Sequence, residues 1–234
     1  MLVWVAHKLR GTLYMKSMPP LFRAQSLAQQ AYHTIRRAIR DGQIPQGEFF
    51  SETTFAEMLG VSRTPVREAM LDLFREGVVE IIAKRGFRLA VLDDNAIIEV
   101  RMLRVALESL VIRRLCEVAT KEDIIELRKV LAGEATEEDD IFSVDEAFHM
   151  RMAEIAGLHQ VKRILLGVRG KMYLIASGAH VARPRTDQVV DEHSELLDLI
   201  SRKDCQAAVD AVTAHVERSI DAFLAARENS PATR

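Results

Sequence analysis

The chain has 234 residues, 28% charged and 48% hydrophobic, with a formal net charge of −2. That length suits one large or two small domains, and the composition excludes an intrinsically disordered chain. Two cysteines, Cys116 and Cys205, are too few for a disulfide framework and point to a reducing cytoplasm. No apolar run approaches the roughly 20 residues of a membrane helix, which excludes a spanning segment.

The first ten residues, MLVWVAHKLR, place charge after a six-residue apolar run, the wrong order for a signal peptide. An upstream start is one reading of this segment, because Met15 and Met18 precede the first regular pattern. Residues 1–24 are therefore treated as an N-terminal extension, with disorder an open reading. From Ser26, Leu27, Ala31, Ile35, Ala38 and Ile39 recur at helical spacing until Gly42. Pro45 and Gly47 make a turn. A short helix follows over SETTFAEMLG, capped by Ser51 and stopped by Gly60. A third helix starts at Ser62 or Thr64, tolerates Pro65 in its first turn, and buries Val66, Met70, Leu73 and Phe74. VVEIIAKRGFRLAVL then reads as two strands around a turn at Lys84-Arg85-Gly86. Helix, helix, tight turn, helix and hairpin is the order of a winged helix-turn-helix, over residues 25–92.

From Asp93 the strand signals vanish. Helices are expected near 95–118, 121–131, 143–156, 161–180, 186–201 and 204–227. The acidic GEATEEDD is a connector, and ARPRT a loop. The fold class is mainly α: a winged helix-turn-helix, then an all-α antiparallel bundle over 93–229. Charge divides at the same place. Residues 1–92 hold 13 Lys and Arg against 8 Asp and Glu, a net +5, and the remainder is −7. A basic first part suggests a polyanion as its partner.

In VSRTPVREAM, Arg63 and Arg67 lie four apart and share a helix face with Thr64 beside them. Two guanidiniums at a helix N-terminus oppose the macrodipole. That cost makes sense if a phosphate or a base edge is the partner, since Arg can pair bidentately with guanine. Arg85 and Gly86 add charge and close backbone approach at the hairpin tip. The plainer alternative is that each arginine is an ordinary solvated surface residue.

Seven histidines are present. Asp145 and His149 lie four apart, and His193 and His215 sit on or beside the apolar faces of two later helices. Buried imidazoles without partners are costly, and one shared cation would satisfy all four side chains. Three nitrogens and one oxygen suit Zn²⁺, Ni²⁺ or Mn²⁺ better than Ca²⁺ or Mg²⁺. The alternative is a set of separately hydrogen-bonded core histidines. In EVRMLRVALES, Arg101, Arg104 and Glu108 form one stripe, and Arg104 can simply pair with Glu108.

VSRTPVREAM, with FAEMLG before it and FREGVVE after it, resembles the GntR family of bacterial winged-helix transcription regulators. AIRDGQIPQGEFFSE is similar to that family's pattern between its first two helices. The resemblance implies that Ser62, Arg63, Thr64 and Arg67 contact double-stranded operator DNA, with Arg85 and Gly86 from the wing. Thr53 and Thr54 depart from it, because many relatives carry an Arg shortly after the Glu matched by Glu52.

VDEAFHM, DEHSELLDLI and KDCQAAVDAVTAHVERS, in that order, are similar to the effector (FCD) domain of the FadR-like branch. That likeness implies a divalent metal (Zn, Ni or Mn) on Asp145, His149, His193 and His215, and Arg104 facing a small carboxylate effector. His7, His33, His159 and His180 fall outside the pattern. Leu158, where relatives often carry Asn, implies a changed helix start. The expected protein is a cytoplasmic homodimeric regulator, a repressor by expectation, and not an enzyme. Two alternatives are a direct metal sensor, and a metal-dependent hydrolase or isomerase fused to a DNA-binding module. Against the second, Glu146 and Glu192 neighbour the ligands in sequence but belong to other helix faces, leaving no general base.

Overall fold

Capping chemistry sets where the first helices begin. The computed structural model describes residues 25–133, 141–177 and 183–228. Ser26 and Gln29 form a reciprocal capping box for α1 (Leu27–Arg40). Ser51 Oγ accepts from Thr54 N at 3.0 Å and starts α2 (Glu52–Leu59), which ends on Gly60 in the left-handed region at φ 66°. Ser62 occupies the N-cap of α3 (Arg63–Arg75), although its side chain makes no capping bond. Val66, Met70 and Leu73 fix α3 from beneath, each contributing about 1.5–3 kcal/mol of burial. Phe74, expected in that core, is 47% exposed. It lies one residue past Leu73 and so turns away from the buried face.

The wing is a three-stranded antiparallel sheet of order β1-β3-β2, with β1 (Phe49–Phe50), β2 (Val79–Ile82) and β3 (Gly86–Leu89). Val79 pairs with Leu89 and Ile82 with Gly86, while Phe50 pairs with Phe87. β1 is absent from the sequence reading, because two residues carry no alternation to detect. Gly86 adopts φ 101°, and a Cβ there would stand 2.3 Å from Phe50 O. Its glycine is required inside the sheet, whatever approaches from outside.

Six further helices follow: α4 (Asp94–Val118), α5 (Lys121–Leu131), α6 (Ile141–Ile155), α7 (His159–Ile175), α8 (Arg183–Ser201) and α9 (Cys205–Glu228). Asp93 Oδ1 caps α4 by accepting from Ala96 N at 2.7 Å, and Thr120 with Asp123 forms a capping box on α5. Leu158 occupies the N-cap of α7 without a side-chain bond, so this helix starts uncapped. ARPRT is not wholly loop. α8 starts at Arg183, which puts Pro184 in a first turn, where its missing N–H costs nothing. The expectations for residues 1–24, for most of the acidic connector and for His180 lie outside the described residues.

The architecture is thus a small helix-and-wing unit followed by a large all-α bundle. One apolar core holds Ile35, Ile39, Phe55, Met70, Val78 and Leu89 together with Tyr173 and Leu174, so α7 of the bundle enters the N-terminal core. A second cluster packs α4–α6, α8 and α9 around Ile112, Leu127, Phe148, Leu197 and Val212, and a third joins Val100, Met172, Val216 and Ile220. The buried histidines lie on the helices that these last two clusters hold together. Among the described residues, no helix is long and apolar enough to cross a membrane.

Candidate metal centre and nucleic-acid interface

Helical period alone places Asp145 and His149 on one face of α6, and packing brings α8 and α9 against it. One ligand atom each from Asp145, His149, His193 and His215 lies within 4.8 Å of the others. Asp145 Oδ1 stands 3.6 Å from His149 Nε2, 3.3 Å from His193 Nε2 and 3.6 Å from His215 Nε2. His149 Nε2 and His193 Nε2 are 3.2 Å apart. All three imidazoles are buried, and the Phe148 ring stacks on His193 with centroids 4.5 Å apart.

The surrounding groups orient the rings. His149 Nδ1 lies 2.8 Å from Glu108 Oε2, and His215 Nδ1 lies 2.8 Å from Glu192 Oε2. A ring that donates from Nδ1 keeps its lone pair on Nε2, and a carboxylate behind it raises that basicity. Asp145 Oδ1 and His215 Nε2 are buried without a hydrogen-bond partner. Leaving such atoms unpaired costs about 1–3 kcal/mol each.

This is a donor set short of an electrophile. Ligand atoms about 2.0–2.2 Å from a tetrahedral ion stand roughly 3.3–3.6 Å from one another, close to the four separations given above. The residues therefore fit a divalent metal. When bound, the ion supplies a fixed positive charge that draws an anionic oxygen.

The charges around the cluster are buried too. Arg104 Nε donates to Glu108 Oε1 at 2.8 Å, and Arg169 Nη1 donates to the same oxygen at 3.0 Å. Arg169 Nη2 donates to Asp145 Oδ2. Burial alone would raise the Asp145 carboxyl, but Arg169 and His149 outweigh it and hold the group well below its usual range. Burial likewise opposes ionisation of Glu108, and Arg104, His149 and Arg169 reverse the effect. Arg104 does pair with Glu108, as the plainer reading had it, yet its Nη2 has no hydrogen-bond partner. Arg101 instead pairs with Asp221 on α9.

Arg169 escaped the sequence reading. Its signal was a charge at helical spacing between Leu165 and Met172, both buried on α7. Glu192 does turn toward the cluster, but it meets His215 from behind and also accepts from Arg218. Glu146 faces away and pairs with Arg36.

In the N-terminal unit, the side chains of Arg63 and Arg67 are each 68% exposed. Arg63 Nη2 donates to Glu52 Oε2 at 3.3 Å, and Arg67 Nε is 3.8 Å from Glu52 Oε1. Ser62 and Thr64 are exposed beside them. The Arg85 guanidinium lies 5.1 Å from the centroid of the Phe49 ring. The segment Phe49–Glu52 thus touches both the start of α3 and the wing tip, and brings the two sets of arginines onto neighbouring surface.

This architecture, an N-terminal helix-turn-helix with a wing and a helical bundle holding a buried His/Asp cluster, defines a class of bacterial regulators. Residues 27–89 match the family described as bacterial regulatory proteins, gntR family, and residues 99–218 match the FCD domain. The chain belongs to the gntR family and carries an FCD effector domain, which makes it a transcription regulator and not an enzyme. It is 32% identical to the Nta operon transcriptional regulator of Aminobacter aminovorans over 184 residues, covering 76% of this chain and 85% of that one. It is 26% identical to the transcriptional repressor RspR of Escherichia coli over 215 residues, covering 88% and 92%. Among solved structures, Escherichia coli McbR/YncC superposes with a TM-score of 0.70 at 21% identity, covering 88% of this chain and all of that one. A GntR regulator from Rhodococcus superposes at 0.64 with 20% identity, covering 86% and 99%. At these identities the superpositions speak for the fold.

Burial holds the His193 and His215 rings below their ordinary value of 6.5, so both are neutral in the fold and gain protons first in the unfolded chain. Stability is full above 6.5 and is lost as pH falls below it, by up to about 1.4 kcal/mol per pH unit per histidine. Chelator-treated protein should therefore melt progressively lower between pH 7 and 5, and His193→Phe should flatten that slope. A melting temperature independent of pH over this range would contradict neutral buried rings.

Proposed function

We propose that the chain is a homodimeric, cytoplasmic repressor of the FadR-like branch. On this reading its hold on operator DNA is controlled by a small carboxylic acid bound beside a divalent metal. The observation that carries the reading is the buried cluster itself. Four donor atoms converge, and Arg104, whose charge acts on His215, keeps one nitrogen, Nη2, without a partner. Asp145, His149, His193 and His215 hold Zn²⁺, Ni²⁺ or Mn²⁺. The ion would supply the positive charge that draws the effector carboxylate, and Arg104 Nη2 would donate to it. An effector of this kind acts only by binding one arrangement of the two units better than another.

Residues 25–92 form the DNA-binding domain and 93–229 the effector and dimerisation domain, a division supported by the spans of the two family matches. Ser62 and Thr64 contact phosphate, and Arg63 and Arg67 enter the major groove. Arg85 reaches the flanking backbone from the wing, with Gly86 holding the tip. Repression as the sign of control is supported by the likeness to RspR, a transcriptional repressor. A twofold dimer places two recognition helices about 34–36 Å apart, one turn of the duplex. For the dimer face, α4 offers Ile98, Met102, Ala106 and Leu110 at intervals of four, with Met102 65% exposed. An apolar ridge of this kind on a regulator reads as an interface.

Four measurements test these parts. On DNA fragments selected from a random pool by the wild-type protein, Arg63→Ala and Arg67→Ala should each cost about 1–3 kcal/mol in gel shifts. Undiminished binding would remove them from the interface. In elemental analysis the wild type should carry metal and His149→Ala/His193→Ala none, and small carboxylic acids should raise the melting temperature of the wild type alone. Metal retained by the double variant would contradict the site. Met102→Glu with Leu110→Glu should lower the mass in light scattering to that of a single chain; a mass equal to the wild type's would move the interface elsewhere.

A further inference from the structure

Asp145 and Glu146 are consecutive residues of α6 with opposite partners. Asp145 faces the histidines, while both oxygens of Glu146 accept from the guanidinium of Arg36 on α1. Arg36 is 2% exposed, a position where a charge is held only by close pairing. Its guanidinium lies 3.9 Å from the centroid of the Tyr173 ring on α7, and Nη1 donates to Tyr32 Oη at 2.7 Å. Tyr32 Oη in turn donates to Glu76 Oε1 at 2.5 Å. Glu76 is the C-cap of α3, the helix that carries Arg63 and Arg67 at its other end.

The path returns to its start. Glu76 packs on Gly170, where an added Cβ would lie 3.0 Å from Glu76 Oε2 and 3.3 Å from Val78 Cγ2. The residue before Gly170 is Arg169, which donates to Asp145. Asp145, Glu146, Arg36, Tyr32, Glu76, Gly170 and Arg169 therefore close a ring through α6, α1, α3 and α7.

We propose that this ring is a latch between the two units, through which occupancy of the Asp145 cluster sets the pose of the recognition helix. It rests on the metal reading above and names how that site would be heard at the DNA. A buried ion pair adds little net stability but fixes one geometry over others. A bidentate guanidinium–carboxylate pair is sensitive to angle, so a small rotation of α6 about Asp145 loosens Glu146 from Arg36. Ordering Asp145 on a cation also changes its share of Arg169, and with it the seat of Glu76 on α7. Arg36, Glu146, Tyr32 and Glu76 touch neither DNA nor metal and act as positioning residues. Both sites would in this way bias one packed interface.

Hydrogen exchange on the full chain tests the latch, with Zn²⁺ as the probe added to chelator-stripped protein. In the wild type, zinc should slow exchange over residues 27–40 and 63–76 by about 5–150-fold, the ordinary range of coupling between sites. Glu146→Gln and Gly170→Ala should keep zinc affinity, measured against a chromophoric chelator, and lose that protection. Arg36→Lys keeps the charge without the bidentate pair and should lose part of it, so it carries the test if Glu146→Gln fails to fold. Full zinc-dependent protection in these variants, or none in a zinc-binding wild type, overturns the latch and leaves the metal site standing. A wild type that binds no zinc overturns the metal reading and this proposal together.

Discussion

The bundle depends on burying charge without stranding it. Arg104, Arg169, Glu108 and Asp145 sit beside three imidazoles, in a place where each group alone would cost several kcal/mol. The arrangement persists because every charge meets its opposite: Glu108 receives both arginines, and Asp145 receives Arg169 and faces the histidines. Five helices supply these groups. None of them can slide without breaking a pair, so the network fixes the helices' register more sharply than apolar packing would. The consequence is a centre where the lone pairs of Asp145 and three histidines converge at separations that suit a divalent cation.

The same economy explains the supporting residues. Glu108 and Glu192 stand behind His149 and His215 and choose which ring nitrogen points inward. Carboxylates so placed do not act as bases toward anything at the metal. Both histidines would ligate through Nε2, since each outer nitrogen faces a carboxylate oxygen 2.8 Å away. Donors oriented from behind in this way can hold a divalent ion in a fixed place.

Much of this was legible in the sequence, and the rest was hidden for definable reasons. Periodicity, caps and glycines located the helices because those signals act within one turn of chain. Asp145 and His149 announced themselves by their spacing, and His193 and His215 by apolar neighbours on their own helices. The two-residue β1 was too short to alternate. Pro184 read as a breaker, although a first turn accepts proline. Arg169 and Arg36 were passed over because a buried arginine is recognisable only once its carboxylate is known. Glu108 lies 61 residues from Arg169, and Glu146 lies 110 from Arg36. No local pattern encodes those pairings.

Tyr173 and Leu174 belong by sequence to the bundle and by packing to the N-terminal core. The two units therefore share apolar surface that neither could bury alone. Heat or denaturant should dissolve them in one cooperative transition, where loosely tethered domains would melt in two. Evolution by exchange of one half is constrained in the same way: a new bundle must bring an aromatic side chain to the place Tyr173 fills, or the winged unit it inherits loses part of its own interior.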